Sequence, residues 1–258
     1  MRALRFATAL AMPLAMWAAN PDYERGMKAL TDKQYATALG YLEQALKAEP
    51  DNIQFASDYR QATLQQAKAL HPKEGAPGDF DRTINFFKAL AEANPNASSA
   101  WLNYGFAYVD KIPAAGSITQ VLLANTALSH FTKSIEVKPS WIAYYTRGNS
   151  YLYWPKIFGK AGLGLADLEQ AMKIQKADSK TRPFHVRAYM SLGDAYWKTD
   201  QMDKATATWK EGLTKFPEAK GLKDRLARQG DELQKYMDDV LDPSKRVDTD
   251  LQEIWSNQ

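Results

Sequence analysis

Residues that could carry catalysis or bind a metal are few in this sequence, and their spacing does not bring them together. The three histidines, His71, His130 and His185, are isolated, and none is spaced from a second ligand so as to bind a metal from one helical face. Cysteine is absent, which excludes disulfides, thiolate ligands, a catalytic thiol and a lipid-modified N-terminal cysteine. The sequence also lacks a glycine-rich phosphate loop and a nucleophile motif. We therefore predict a protein without catalytic residues, metal or cofactor.

The segment best suited to binding is residues 141–159, WIAYYTRGNSYLYWPKIFG, in which seven of nineteen residues are aromatic. Aromatic side chains can stack on a bound peptide or sugar, or they can pack between helices. Arg147 lies inside the segment, and we expect it to be an exposed charge. Whether the aromatic residues bind or pack depends on the elements that hold them.

The charge balance argues against nucleic acid as a partner. The chain has 33 basic and 30 acidic residues, a net charge of +3, and no run of basic residues that would follow a phosphate backbone. Hydrophobic residues make up 45% and charged residues 24%, which is typical of a folded, soluble protein.

One four-residue pattern occurs five times and predicts a set of equivalent helices. A small or polar residue is followed by a bulky apolar residue four positions later, a small residue three later and usually proline five later. The copies are Ala38–Leu42–Ala45–Pro50, Thr83–Phe87–Leu90–Pro95, Ala127–Phe131–Ser134–Pro139, Gly164–Leu168–Ala171–Lys176 and Ala205–Trp209–Gly212–Pro217. Steps of four and three place the first three positions on one helical face, and proline then ends the helix.

A second pattern precedes four of these helices. An aromatic residue is followed by glycine four positions later and tyrosine three later, in Trp101–Gly105–Tyr108, Tyr144–Gly148–Tyr151 and Tyr189–Gly193–Tyr196, with a degraded copy in Asp22–Gly26–Ala29. Glycine inside a helix costs about 1 kcal/mol relative to alanine. Its recurrence predicts that a neighbouring helix approaches closely at each of these positions.

Together the two patterns resemble the tetratricopeptide repeat family, most clearly over residues 186–219. The resemblance implies an all-α fold, a right-handed superhelical solenoid of about five helix-turn-helix units with a C-terminal capping helix. We assign the repeat domain to residues 20–217 and the capping helix and tail to residues 218–258. The cap is predicted from an apolar stripe at helical spacing, formed by Leu222, Leu226, Leu233, Met237 and Val240. The tail is expected to fold back on the scaffold or to dock on another subunit.

Residues 1–19 have the layout of a signal peptide, because Arg2 and Arg5 precede a short apolar run. The run is shorter than the ~20 residues that a membrane span needs. We predict export to a bacterial periplasm, with an N-terminal amphipathic helix as the alternative. No other membrane association is expected.

Three insertions lie between the first and second helices of consecutive units, at residues 71–78, 111–119 and 154–163. We call these insertions the elbows. In a solenoid such insertions line one edge, and they often mark a binding face. The residues predicted to contact a partner there are Lys73, Lys111, Ile112, Trp154, Lys156 and Phe158.

The resemblance also implies a concave groove lined by the first helix of each unit. The residues that it places in the groove are Tyr23, Met27, Leu102, Asn103, Phe106, Tyr145, Asn149, Tyr153, Arg187, Met190, Asp194 and Trp197. Leu102 and Tyr145 stand where a clamp for a terminal carboxylate would have a basic residue, so the groove is expected to hold a peptide by stacking and side-chain burial. The alternative is that several of these side chains pack between repeats.

These features favour a non-catalytic scaffold or assembly factor that binds another protein or peptide. One alternative is a small-molecule-binding component similar to transporter-associated tetratricopeptide repeat proteins, which would need an apolar tunnel. Another is an enzyme or cell-wall-acting protein that uses Tyr145, Tyr153 and Trp154 as a platform for sugars.

Overall fold

The chain folds into helices arranged in consecutive pairs. The computed structural model describes residues 20–70, 80–242 and 249–254. Within these ranges lie twelve α-helices and no β-strand: α1 (Pro21–Thr31), α2 (Tyr35–Ala48), α3 (Ile53–Leu70), α4 (Phe80–Ala93), α5 (Ser98–Lys111), α6 (Ser117–Val137), α7 (Trp141–Leu152), α8 (Ala161–Ala177), α9 (Val186–Lys198), α10 (Met202–Lys215), α11 (Lys220–Leu226) and α12 (Gly230–Val240). The predicted all-α class is confirmed. The predicted signal peptide lies outside the described residues.

The second helix of each pair anchors the core with one bulky side chain. Every copy of the bulky position in the first pattern has no solvent exposure: Leu42, Phe87, Phe131, Leu168 and Trp209. Successive helices contact one another along the chain, from α1 with α2 to α9 with α10. The apolar interior is therefore built by stacking neighbours, as in a solenoid.

The recurrent glycines are positions of close helix approach, as predicted. A β-carbon added at Gly105 would lie 2.4 Å from Cε1 of Phe131, and one added at Gly193 would lie 2.1 Å from Nε1 of Trp209. Since no side chain fits in such a gap, only glycine allows α5 to pack on α6, and α9 on α10, at this distance.

Proline sets the end of four second helices. Helices α2, α4, α6 and α10 each end two residues before the proline of the pattern. In the fourth unit Lys176 replaces proline, and α8 continues to Ala177. The helix is extended because lysine keeps the N–H group that proline lacks and does not clash with the preceding turn.

The C-terminal cap consists of two helices, so the prediction of a single helix is wrong. Helices α11 and α12 are separated by residues 227–229, and Gly230 begins α12 with φ 51°, which favours glycine. The apolar stripe nevertheless packs inward, since Leu222, Leu233 and Met237 are buried in the last core cluster.

Candidate functional site

Residues 249–254, which we call the tail segment, lie against the first helices of several units. Thr249 and Leu251 are 1% and 4% exposed. The segment contacts α3 and the short 3₁₀ turn before α9, and Leu251 shares an apolar cluster with residues of α5 and α7. Of the two outcomes expected for the tail, folding back on the scaffold is the one observed. A segment of the chain itself therefore covers the first-helix surfaces where the family resemblance implied a groove.

The centre of this contact is Arg60 of α3, whose side chain is completely buried. Its Nε donates to Oδ1 of Asn103 at 2.9 Å, and its Nη1 donates to Oδ2 of Asp110 at 2.8 Å. Its Nη2 donates to the main-chain oxygen of Thr249 at 2.8 Å. The guanidinium also lies over the ring of Phe106, 4.6 Å from the centroid. A buried guanidinium needs such partners, because an unpaired buried charge is strongly unfavourable.

Thr249 is bound through its side chain as well as its main chain. Its hydroxyl donates to Oδ1 of Asp110 at 2.8 Å, so one carboxylate pairs with Arg60 and accepts from Thr249 at the same time. Together Arg60 and Asp110 hold both the carbonyl and the hydroxyl of one residue of the tail segment.

Two further positions fasten the tail segment. Leu251 is buried in the cluster that contains Leu102 and Phe106. The carboxylate of Glu253 forms an ion pair with Arg187 of α9, a residue that is about a quarter exposed. Positions 249, 251 and 253 therefore make a polar, an apolar and an ionic contact in turn.

Two acidic residues, Asp58 of α3 and Asp250 of the tail segment, influence each other at the start of this contact. The hydroxyl of Tyr23 donates to Asp58 at 2.7 Å. Burial raises the pKa of Asp58, and the nearby charge of Asp250 raises it further. Burial, together with the hydrogen bond to Asp58, also raises the pKa of Tyr23.

Several predicted groove residues face the interior. Leu102, Asn103 and Phe106 are at most 1% exposed. Leu102 and Phe106 share the apolar cluster of Leu251, and Asn103 accepts a hydrogen bond from Arg60. They are therefore covered in this structure and do not present free surface to a partner. Arg187, by contrast, is partly exposed and contacts the tail segment directly.

Asp194 is also buried, and its role is structural in this arrangement. Its carboxylate receives two hydrogen bonds of 2.6 Å from Arg225 of α11 and one from the indole of Trp209. The ion pair raises the pKa of Arg225 despite the opposing effect of burial. Interpreting Asp194 as a groove contact is therefore wrong, because the cap already uses its carboxylate.

The remaining predicted groove residues are partly exposed. Tyr145 stacks on Trp141 with ring centroids 4.9 Å apart, and Asn149 accepts a hydrogen bond from Ser191 at 2.9 Å. Met27, Met190 and Trp197 pack against core clusters, whereas Tyr153 lines a cavity at the elbows.

Two elbows meet around an apolar cavity of about 210 Å³. Its walls come from the ends of α5 and α7, the beginning of α6 and both elbows, and they include Ile112, Val121, Tyr153, Trp154 and Phe158. The second and third elbows thus lie side by side at this edge of the molecule; the alignment of all three elbows stays a prediction. The first elbow, with Lys73, lies outside the described residues.

Apolar side chains project from this edge into solvent. Ile118, Leu122, Ile157, Phe158 and Leu163 are between 51% and 90% exposed. We call residues 111–122 and 154–163 the elbow edge. The lysines of the edge are engaged in surface ion pairs, Lys111 with Asp81 at 2.7 Å and Lys156 with Asp200 at 2.8 Å.

Within the aromatic segment, the expectation that Arg147 is a free exposed charge is wrong. Its Nε and Nη2 each donate to Asp167 at 2.7 Å, and Nη1 donates to Thr132 at 2.9 Å. The bidentate pair ties α7 to α8, and this hydrogen bonding raises the pKa of Arg147. Arg147 is therefore a link between helices.

Two other kinds of site are not seen among the described residues. No group of three or more His, Cys, Asp or Glu side chains is arranged to hold a metal ion in the part of the chain that the structure covers. None of the helices described combines the length and the hydrophobicity needed to cross a bilayer.

Sequence reasoning missed Arg60 and Asp110, and it did not decide between the two outcomes expected for the tail. Helix α3 lacks the glycine pattern, so no groove position could be assigned there. A usable signal was the pair Asp58 and Arg60 in the middle of a helix whose neighbouring positions are apolar or small, because charges in such surroundings are usually paired.

Two solved structures share the fold over most of the chain. A thermophilic tetratricopeptide repeat protein of Thermus thermophilus is similar with a TM-score of 0.52 and 19% identity, over 80% of this chain and 95% of that one. A tetratricopeptide repeat protein of Parabacteroides merdae is similar with a TM-score of 0.52 and 13% identity, over 80% of this chain and 70% of that one.

Among curated proteins, Photosystem I assembly protein Ycf3 of Prochlorococcus marinus is similar over 86 residues. The identity is 31% for strain NATL2A and 30% for strain NATL1A. The match covers 33% of this chain and 45% of the relative, so the chain spans less than half the length of these relatives. No protein-family model matches the chain.

Proposed function

The chain has the fold of the tetratricopeptide repeat proteins, and we propose that it is a non-catalytic scaffold or assembly factor that binds another protein in the bacterial periplasm. The observation that carries the proposal is the apolar cavity between two elbows, bordered by exposed apolar side chains. The N-terminal sequence, with its basic start and short apolar run, supports the location. Cell fractionation tests it.

The elbow edge has the chemistry of a protein-binding surface. Ile157 is 90% exposed and Phe158 is 54% exposed, which leaves large apolar area in water unless a partner covers it. Contiguous exposed apolar surface on a soluble protein usually marks an interaction site. A partner side chain that fills the adjoining cavity would be the buried anchor on which such interfaces depend.

The size of the cavity favours a side-chain anchor over a small-molecule ligand. Its volume of about 210 Å³ is below the range of roughly 300–1,000 Å³ that is usual for small-molecule sites. A second cavity of about 430 Å³ is lined by charged residues, including Lys156, Lys198 and Asp238. Neither cavity combines a large volume with the apolar lining that a small-molecule carrier needs, so this alternative has less support.

The sugar-binding alternative also has less support. Tyr145 packs on Trp141 in the last core cluster, whereas Tyr153 and Trp154 line the elbow cavity and Trp154 packs against a different cluster. Because Tyr145 packs in a different place from Tyr153 and Trp154, the three rings do not form the single flat platform that stacking on a sugar requires.

The curated relatives are named as assembly proteins, which agrees with the proposed class. Their partner is not assigned to this chain, because the similarity covers only a third of it.

The proposal is tested by placing a photo-crosslinking amino acid at Ile157 and, as a matched control, at Ile174. Both side chains are apolar and exposed, but Ile174 lies near the far end of α8 from the elbow edge. In cells we expect a discrete protein adduct from position 157 and none from position 174. Equal labelling from both positions, or no adduct from position 157, would contradict the proposal.

A second experiment uses the partner identified in this way. Replacing Ile157 and Phe158 with serine should weaken its binding at least tenfold. The protein should stay folded with at most a small loss in thermal stability, because Ile157 is 90% exposed and Phe158, which also packs on Trp154, is 54% exposed. Since apolar burial dominates the contact, affinity should change little between about 50 and 200 mM salt. Binding that is lost over this salt range would show that charge, and not the elbow edge, holds the partner.

A further inference from the structure

The groove contains a second site, which is distinct from the elbow edge. We propose that the surface around Arg60, Asp110 and Arg187 is a peptide-binding site for segments of the pattern Thr-x-Leu-x-Glu, and that the tail segment occupies it in cis until a partner carrying this pattern displaces it. The inference goes beyond the proposed function, because it concerns a different face and does not depend on the elbow edge.

The site recognises a side chain as well as the main chain of the segment that it holds. The hydroxyl of Thr249 donates to Asp110, and its carbonyl accepts from Arg60, both at 2.8 Å. Only serine or threonine offers a hydroxyl at this distance from the main chain while leaving the carbonyl free. A site that hydrogen-bonds such a group rejects residues that lack it, because its own buried polar atoms are then left unpaired.

The contacts alternate along the segment. Thr249 is held by the buried polar cluster, Leu251 enters the apolar cluster of Leu102 and Phe106, and Glu253 pairs with Arg187. Thr249 and Leu251 precede a 3₁₀ turn at Gln252–Ile254, in which the N–H of Ile254 donates to the carbonyl of Leu251 at 2.9 Å. The pattern therefore describes a peptide whose last contact, that of Glu253, lies within such a turn. The pattern therefore follows from three independent contacts and not from one.

The size of the cis effect follows from effective concentration. If a free peptide binds the open groove with a Kd of roughly 0.1 mM, a tethered copy at an effective concentration of about 1 mM fills the groove about ten times out of eleven. The apparent affinity of the full-length chain for the same peptide is then about tenfold lower than that of an open groove.

The experiment uses the full chain and a fluorescein-labelled peptide of residues 248–255, DTDLQEIW, followed by fluorescence anisotropy. The substitution Leu251→Glu in the protein should release the tail segment and increase peptide affinity about tenfold over the unsubstituted chain. Circular dichroism verifies that the variant stays helical. Equal affinity for both proteins, or no binding to the folded Leu251→Glu variant, would overturn the proposal.

Substitutions in the peptide test the pattern without any effect on folding. Thr249→Ala and Leu251→Ala peptides should each bind at least tenfold more weakly than the parent peptide, whereas Gln252→Ala should bind equally. A scrambled peptide of the same composition that bound as well as the parent would overturn the proposed specificity.

A charge exchange tests the ionic contact directly. In the Leu251→Glu background, Arg187→Glu should weaken the parent peptide, and a Glu253→Arg peptide should restore binding to this variant. If the Glu253→Arg peptide does not restore binding to the Arg187→Glu variant, Arg187 is not part of the site. The Ile157→Ser/Phe158→Ser protein is the control for the elbow edge, and it should bind the peptide unchanged.

The oligomeric state distinguishes the chain's own tail from that of a second copy. Light scattering should report the same mass for the unsubstituted chain and for Leu251→Glu. A dimer that the substitution converts to monomers would show that the segment binds in trans, and it would overturn occupancy in cis.

Discussion

Protonation of His130 should reduce stability at mildly acidic pH. The imidazole is half-buried on α6 and stacks on Tyr104 with ring centroids 3.8 Å apart, with Trp101 and Tyr108 within 6.0 Å. Burial lowers its pKa from 6.5 to about 4.

The direction and size of the effect follow from proton linkage. Above pH 6.5 the imidazole is neutral in both states and contributes nothing to the pH dependence. Between pH 6.5 and about 4 the unfolded chain binds a proton that the folded chain does not, so the free energy of unfolding falls as pH falls. The full slope is about 1.4 kcal/mol per pH unit, and discounting for partial solvent screening we expect a loss of about 1 kcal/mol between pH 6.5 and 5.

Urea denaturation at pH 7 and pH 5 measures the effect in the unsubstituted chain and in His130→Gln. The substituted protein should lose about 1 kcal/mol less over this range. Contributions from His185, whose pKa is also lowered by burial, and from Asp58 are common to both proteins and cancel in the difference. Identical pH dependence in the two proteins would refute the reasoning.

Two further predictions concern packing and the buried ion pair. Gly105→Ala should destabilise the fold by about 1–3 kcal/mol, because the new β-carbon would lie 2.4 Å from Phe131. The control Gly40→Ala, with nothing within 4 Å, should be stabilising by about 0.5–1 kcal/mol, and urea denaturation that ranks the two alike would count against the packing argument. Asp194→Ala should cost about 3–5 kcal/mol by leaving Arg225 buried without its partner. Asp194→Leu combined with Arg225→Met should recover most of this loss in thermal unfolding, and a double variant as unstable as the single one would contradict the assignment.

The helices and their packing could be predicted because the signals are local. The spacing of Ala205, Trp209 and Gly212 defines a helical face within eight residues, and Pro217 defines its end. The glycine positions carry the same kind of information, since a residue with no side chain at a fixed place in four of the five units indicates where the next helix must lie. The elbows were also predictable, because they lengthen the sequence spacing between the patterns of the first and second helices of a unit, which is otherwise constant.

The residues that bind the tail segment could not be predicted because its contacts are remote in sequence. Arg60 and Thr249 are 189 positions apart, and nothing near either residue encodes the other. Arg147 was misjudged for a related reason, because its partner Asp167 lies in the next helix beyond an elbow of unusual length. The break between α11 and α12 was missed because the apolar stripe continues across it in phase.

The tail segment has a consequence for the mechanics of the whole solenoid. Repeat arrays whose units contact only their immediate neighbours lose structure progressively from an end. Here Thr249 is bonded to the second unit and Glu253 to the fifth, so units that are distant along the array share a tie. Local unfolding of either unit must also break the contacts of the tail segment. We therefore expect the array to unfold in one cooperative transition while the tail segment is bound, and in stages once it is displaced.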